Sequence, residues 1–393
     1  MEGGRTPSHL RDLNSRAIVR ILQREGPTAR VHLARTLGLS KATVTLTVRD
    51  LLEDGLVDEL GEDAAQPRLS GRQPQLVAIN ARAASLLAID IGAVRTTAVL
   101  ASLDGTVLLE RVCLTPRTHP DVLLEQLLTL VQELVRDAGP EGGPLGAVVV
   151  GVPGMVDAGQ AIDDAVNVPA LSRLPLRERL SAWCGAPVRL ENDINLAAIG
   201  EHTAGAAGAF RTFAFVSLGT GIGAGLYLDG KMYRGAHGFA GEVGEMVLRE
   251  QGDQALGLET LVAGEALSRQ AHARGLDTDG DGVQALFASA RAGDALALVV
   301  LRDSARALAH GLFNIHLLLD LEAIFLGGGV GGNFDLWAPV VDELLRAHHS
   351  RPPLLLPSAL GVRASLAGAL SLAQEDCWEH LYQRLSARRK LTA

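Results

Sequence analysis

LLAIDIGAVRTTAVLASLDGTVL, residues 86–108, and FAFVSLGTGIGAGLYLDGKMY, residues 213–233, follow one plan: apolar strand, glycine turn, strand, Leu-Asp-Gly turn, strand. The second begins about a third of the chain after the first, and self-similarity at that distance marks a duplicated structural unit. Around both stretches short apolar runs alternate with longer amphipathic segments, the pattern of an α/β fold. The body is therefore read as two homologous α/β lobes, each opened by a β-hairpin, with a cleft between them.

Glycine turns at strand ends are candidate phosphate cradles, because backbone N–H groups without a neighbouring Cβ approach an anion closely. Three such turns occur: Gly92 after the first strand, GTGIGAG at 219–225 with Gly219, Thr220, Gly221 and Gly223, and IFLGGGVG with Gly328. Each taken singly reads equally well as a tight turn. VRLENDINLAAIGEH places Asn192 and Asp193 between a strand and a helix. Either residue caps that helix, or Asp193 faces the cleft as a base for a sugar hydroxyl while Asn192 grips its neighbour. GFAGEVGEM sets Glu242 and Glu245 three residues apart, and Glu259 follows in LGLET. Carboxylates that accept two hydroxyls each suit a polyol, and a solvated acidic face is the alternative.

The N-terminal segment has a different chemistry. The chain carries a net charge of −9 over 393 residues, yet residues 1–49 hold nine Arg/Lys against three acids, an excess of +6, which leaves about −15 on the rest. Such asymmetry joins a basic module to an acidic body. Ile18, Val19, Ile21 and Leu22 share one helical face; Val31, Ala34 and Leu37 recur in a second helix; Gly38-Leu39 turns the chain; Ser40 caps a third helix. In that helix Val44, Val48 and Leu51 point inward, leaving Lys41, Thr43, Thr45, Leu46 and Arg49 outward. Helix, tight turn and a helix with a small, polar, basic face form a helix-turn-helix whose last element enters the major groove. GLVDEL and PQLVAIN are read as strands flanking a polar hairpin over 61–72, a wing that brings Arg68 and Arg72 to phosphates or a minor groove. A helical docking module with a solvated charged face is the alternative. Seven acids between Asp50 and Asp63 turn that segment away from a duplex.

No apolar run approaches a membrane span, and Cys113, Cys184 and Cys377 lie too far apart for a disulfide framework or a cysteine-rich zinc site. A cytoplasmic protein with no membrane partner is expected.

Together these residues resemble the ROK family of bacterial sugar kinases and related repressors, over nearly the whole chain. The winged helix with GRQPQLVAIN looks like the repressor branch. IDIGAVRTTAVLASLDG resembles the first phosphate hairpin, GVPGMVD a substrate-side turn, ENDINLAAIGE the catalytic stretch, LGTGIGAGLYLDGKMYRGAHGFAGEVG the second phosphate hairpin and sugar loop, and FLGGGV the adenosine side. The resemblance implies a winged helix-turn-helix over 1–75 and a two-lobed actin-like (ribonuclease H-like) sugar kinase fold. Its first lobe would span 76–200 with a C-terminal helix over 371–393, and its second lobe 201–370. It further implies that Asn192, Asp193, Glu242 and Glu259 meet a monosaccharide, with Asp193 on the kinases' general base; Glu245 is expected to add a charge to the same sugar pocket.

Two departures from the family pattern matter. Members usually have histidine where Glu245 stands, followed by a Cys-x-Cys-x(4)-Cys cluster that holds a structural zinc; VLREQGDQALGLET has no cysteine and Gly257 sits where the last would be, so no zinc is expected. Kinases show Gly-Gly-Thr-Lys where this chain has Gly92-Ala93-Val94-Arg95. Side chains there are expected to crowd a terminal phosphate, making ATP an unlikely cofactor and the catalytic role of Asp193 vestigial. The expectation is a sugar-responsive repressor that binds operator DNA as a homodimer or homotetramer. The rivals are a regulator that keeps ATP-dependent sugar kinase activity and a module controlled by a protein partner.

Overall fold

The computed structural model describes residues 7–60, 75–163, 165–251, 254–276 and 282–392. The polar hairpin expected over 61–72, with Arg68 and Arg72, lies outside the described residues.

Helix α1 (Pro7–Glu25) leads to β1 (Thr28–Ala29), α2 (Arg30–Leu37), α3 (Lys41–Glu53) and β2 (Val57–Leu60). Gly38 ends α2 in the left-handed region at φ +65°, a conformation glycine adopts without strain. Ser40 Oγ then accepts the Thr43 N–H at 3.1 Å to open α3. Ile18, Val19, Ile21, Leu22, Val44, Val48 and Leu51 are buried as their spacing requires. In α2 the pattern differs from expectation: Val31 is 59% exposed and Leu33 fills the core. Helix α2 is only eight residues long, so an apolar period of three residues does not decide its buried face. The third strand of this module, β3 (Leu76–Ile79), pairs with both β1 and β2. The winged-helix sheet therefore ends at Ile79 and not at residue 75.

The first lobe is a five-stranded sheet. Strands β4 (Ser85–Ile91), β5 (Arg95–Ser102) and β6 (Val107–Leu114) form an antiparallel meander. Helix α4 (Pro120–Gly142) crosses to β7 (Leu145–Val152), parallel to β4. A short hairpin of β8 (Met155–Val156) and β9 (Ile162–Asp163) and helix α5 (Leu176–Cys184) lead to β10 (Val188–Asn192), parallel to β7. Helix α6 (Asp193–Thr203) follows at once.

The second lobe repeats the plan: β11 (Phe213–Leu218), β12 (Ile222–Leu228) and β13 (Lys231–Tyr233) make the meander. A ribbon of β14 (Val247–Gln251) and β15 (Gln254–Gly257) precedes helices α7 (Leu258–Val262), α8 (Gly264–Ala273), α9 (Val283–Arg291) and α10 (Ala295–Leu319). Strand β16 (Ala323–Gly327) joins parallel to β11; α11 (Gly328–Gly331) and α12 (Phe334–His348) lead to β17 (Leu354–Pro357), parallel to β16. The strand orders β10-β7-β4-β5-β6 and β17-β16-β11-β12-β13 are equivalent. The internal repeat in the sequence is thus a duplicated fold.

The last helix, α13 (Ala364–Thr392), starts before residue 371 and packs on α6 and on the first-lobe strands β4 and β7. One core cluster runs from Ile18 and Val48 of the N-terminal module through Ala373 and Cys377 of α13, Leu196 and Ile199 of α6 and Val149 of the first sheet to Phe213 and Phe325 of the second. Helices α6 and α13 approach closely because Gly200 and Gly368 lack side chains. A Cβ at Gly200 would strike the Ala364 carbonyl oxygen, and one at Gly368 that of Leu196. Among the described residues no single helix is long and apolar enough to cross a membrane.

Candidate functional site

Two surfaces carry the residues singled out by the sequence. On α3, Lys41, Thr45, Leu46 and Arg49 are exposed, as a groove-reading face requires. Ser40 and Thr43 are partly committed to the helix start, their hydroxyls bonded to each other at 2.8 Å. Arg49 Nε lies 3.6 Å from Glu53 one turn on, with both side chains largely exposed. That weak pair leaves the guanidinium available to a phosphate. Behind this face Arg11 Nε meets Asp50 at 3.1 Å, tying α1 to α3.

The second surface is a cavity of about 530 Å³ lined by Asn192, Asp193, Glu242, Glu245 and Glu259, the Gly219–Thr220–Gly221 turn and the Pro153–Gly154–Met155 turn. Strand β10 delivers the first two residues. Asn192 is the N-cap of α6: its Oδ1 accepts the N–H groups of Ile194 and Asn195 at 2.9 and 3.0 Å, and its Nδ2 donates to Gly154 O at 3.1 Å. The helix cap and the cleft residue are therefore the same side chain. One amide hydrogen is left for a ligand.

Asp193 opens α6, where the helix dipole favours a carboxylate. Burial outweighs that effect, and the neighbouring Asp90 and Glu242 charges add to it, so the Asp193 carboxyl is pushed up to about 7. Asp90, at the end of β4, is itself raised by burial and accepts the Ser365 hydroxyl from α13 at 2.9 Å. Glu259 Oε2 accepts the Ile222 N–H at 2.9 Å and lies against Gly221, so it braces the glycine turn as well as lining the cavity. Glu242 precedes a single 3-10 turn over Val243–Glu245, and Glu245 is exposed. A cavity with this many oxygen acceptors suits a ligand that donates several hydroxyl hydrogens.

The six residues read as phosphate-cradle positions divide. Gly219, Thr220 and Gly221 line the cavity; Gly92, Gly223 and Gly328 do not. A Cβ at Gly223 would collide with Ile194 on α6, and one at Gly328, at φ +81°, with the Leu218 backbone. Close packing explains both glycines. Gly92 closes a tight turn through its N–H to Arg95 O at 3.0 Å, and Thr115 Oγ1 donates to its carbonyl at 2.8 Å. Val94, expected to crowd a phosphate in the cleft, is 64% exposed and outside the cavity lining.

A pair that sequence reasoning missed joins the lobes beside the site. Glu191, 4% exposed on β10, accepts Nε and Nη2 of Arg234 beyond β13 at 2.8 and 2.6 Å through one oxygen. Its other oxygen accepts Asn195 Nδ2 at 3.0 Å. Glu191 stands in the quoted stretch ENDIN and Arg234 in KMYRG, but nothing local pairs them. Asp90 lay inside IDIG, where its alternation in the strand was the only signal.

The chain matches the ROK family model over residues 86–376 and a winged helix-turn-helix DNA-binding model over residues 11–58. It is 28% identical to the xylose repressor of Bacillus spizizenii, over 93% of this chain and 96% of that protein. A ROK family transcriptional regulator, a homologue of the E. coli MLC protein, shares the fold with a TM-score of 0.79 at 23% identity, over 96% of this chain and 98% of that one. A ROK family glucokinase from Streptomyces griseus, solved with glucose and AMPPNP, gives a TM-score of 0.63 at 28% identity, over 74% of this chain and 99% of its own.

Proposed function

From the premise that this chain belongs to the ROK family, with a winged helix-turn-helix ahead of the family domain, we propose that it is a transcriptional repressor whose operator affinity answers to a monosaccharide in the interlobe cavity. The observation that carries this is the convergence of Asn192, Asp193, Glu242, Glu245 and Glu259 on one cavity, in a chain whose α3 presents Lys41, Thr45 and Arg49 outward. A relative of nearly equal length is a xylose repressor, which makes D-xylose the first probe. The winged helix reads one half-site, so binding as a homodimer or homotetramer supplies the second. The sugar shifts operator binding by the difference in its affinity for two arrangements of the lobes. Neither ATP nor zinc has a part in this function.

A retained sugar kinase activity is the second possibility, favoured by the place of Asp193 in the lining of the interlobe cavity, where burial pushes its carboxyl up towards the range a general base needs. Against it stands Gly92-Ala93-Val94-Arg95 in place of the kinases' hydroxyl- and lysine-bearing turn. A thermal-shift and operator-binding panel of D-xylose, D-glucose and N-acetylmannosamine tests the repressor, and a coupled ADP-release assay with the same sugars tests the kinase. One sugar is expected to raise the melting temperature and weaken operator binding without ATP turnover. Turnover abolished by Asp193→Asn would establish the kinase, and a panel without any response would remove the sugar.

A further inference from the structure

The C-terminal helix touches every part of the molecule that a sugar signal must cross. At its start Ser365 Oγ donates to Asp90, whose charge is felt by Asp193 in the cavity. Nearly a full turn on, Gly368 lies against α6, the helix that begins at Asp193, with no room for a side chain between them. Further along, Asp376 accepts Arg189 Nη2 from β10, the strand that ends in Asn192. Helices α6 and α13 are therefore held as one body, anchored at the cavity.

The far end of that body holds the DNA-binding module. Glu379 accepts Arg16 Nη1 at 2.6 Å and Nη2 at 3.2 Å, one to each carboxylate oxygen. The same guanidinium lies 4.4 Å over the Tyr382 ring, and Ser386 Oγ donates to Asp12 at 3.2 Å. Trp378 and Tyr382 beneath are buried in the core shared with Ile18 and Val19. A partly exposed ion pair contributes little net stability. A two-pronged pair stacked on an aromatic ring does fix direction, and here it sets the angle at which α1 leaves α13. Helix α1 in turn holds α3 through Arg11 with Asp50 and through Ile18 packed in the core with Val44 and Val48.

We propose that Arg16, Glu379 and Tyr382 are positioning residues that carry the state of the cavity to the DNA-reading helix. When the lobes close on a sugar, α6 and α13 move together and the clasp on Arg16 turns α1, and α3 with it, off the spacing the operator requires. The clasp is needed for the response, not for folding, sugar binding or DNA binding. This inference rests on the sugar-responsive function proposed above.

The test measures operator affinity by fluorescence anisotropy, with and without the panel sugar that shifts the wild-type melting curve, in the full chain. Wild type is expected to lose affinity on sugar binding by a factor within about 5–150, the usual range of allosteric coupling. Arg16→Ala and Glu379→Ala are each expected to bring that factor to within about 2 of unity, with the sugar's thermal shift kept and the melting temperature lowered by no more than about 3 °C. The exchange Arg16→Glu with Glu379→Arg restores the ion pair and is expected to recover most of the response. Glu379→Ala leaves the N-terminal module's own charge intact, so a lost response there is not a lost phosphate contact. Single variants that keep the full wild-type factor would overturn the relay while leaving the repressor standing. A wild type whose operator binding ignores every sugar would overturn the proposed function, and the relay with it.

Discussion

Asp193 shows how a single side chain is set by opposing fields. The start of α6 favours its ionised form, while burial and the carboxylates of Asp90 and Glu242 favour the neutral one, and burial is the largest effect. With the folded value near 7 against 3.8 ordinarily, the folded protein holds a proton that the unfolded chain releases. The stability tied to that proton is fully present below about pH 4 and is lost as pH rises through about 7. Asp193→Asn removes this dependence. It is expected to stabilise the protein more at pH 8 than at pH 5, by about 2–3 kcal/mol, the share of the shift at 1.36 kcal/mol per unit that falls between those two pH values. Urea denaturation at the two pH values checks it; equal changes at both would mean that Asp193 titrates normally. A sugar hydroxyl donates more strongly to the Asp193 carboxylate than to the neutral carboxyl, so sugar affinity should rise over the same interval.

At the level of elements, α3 separates what packs from what reads. Val44, Val48 and Leu51 are buried, while Lys41, Thr45, Leu46 and Arg49 stand on the open face. Arg49→Ala removes a charge held only by a loose pair with Glu53. Its melting temperature should stay within about 2 °C of wild type, as for most surface substitutions. Operator binding should weaken, and the slope of log affinity against log salt should fall by about one if Arg49 meets a phosphate. An unchanged slope together with relaxed sequence preference would place Arg49 on a base edge instead. The β14–β15 ribbon is held by backbone pairing between Val247–Gln251 and Gln254–Gly257.

For the whole molecule, two duplicated sheets and the DNA-binding module share one core through α6 and α13. Gly368→Val pushes those helices apart at their closest approach, a small-to-large change in a packed core. A loss of about 1–3 kcal/mol is expected in chemical denaturation, and a neutral result would show that the two helices cross with room for a side chain. Sequence alone determined the duplication, the helix-turn-helix and the stretches that supply the cavity carboxylates. Strand alternation, helical period and glycine turns are properties of neighbours along the chain, and LLAIDIG and FAFVSLG state them openly. Sequence could not say which glycines face the cavity: Gly221 does, while Gly223, two residues on, is a glycine because Ile194 lies against it. Nor could it pair Glu191 with Arg234, 43 residues apart, or Arg16 with Glu379, 363 apart. Charges on separate elements become partners only where packing brings those elements together, so the cavity's contents were written locally and its connection to the DNA-reading helix was decided by the fold.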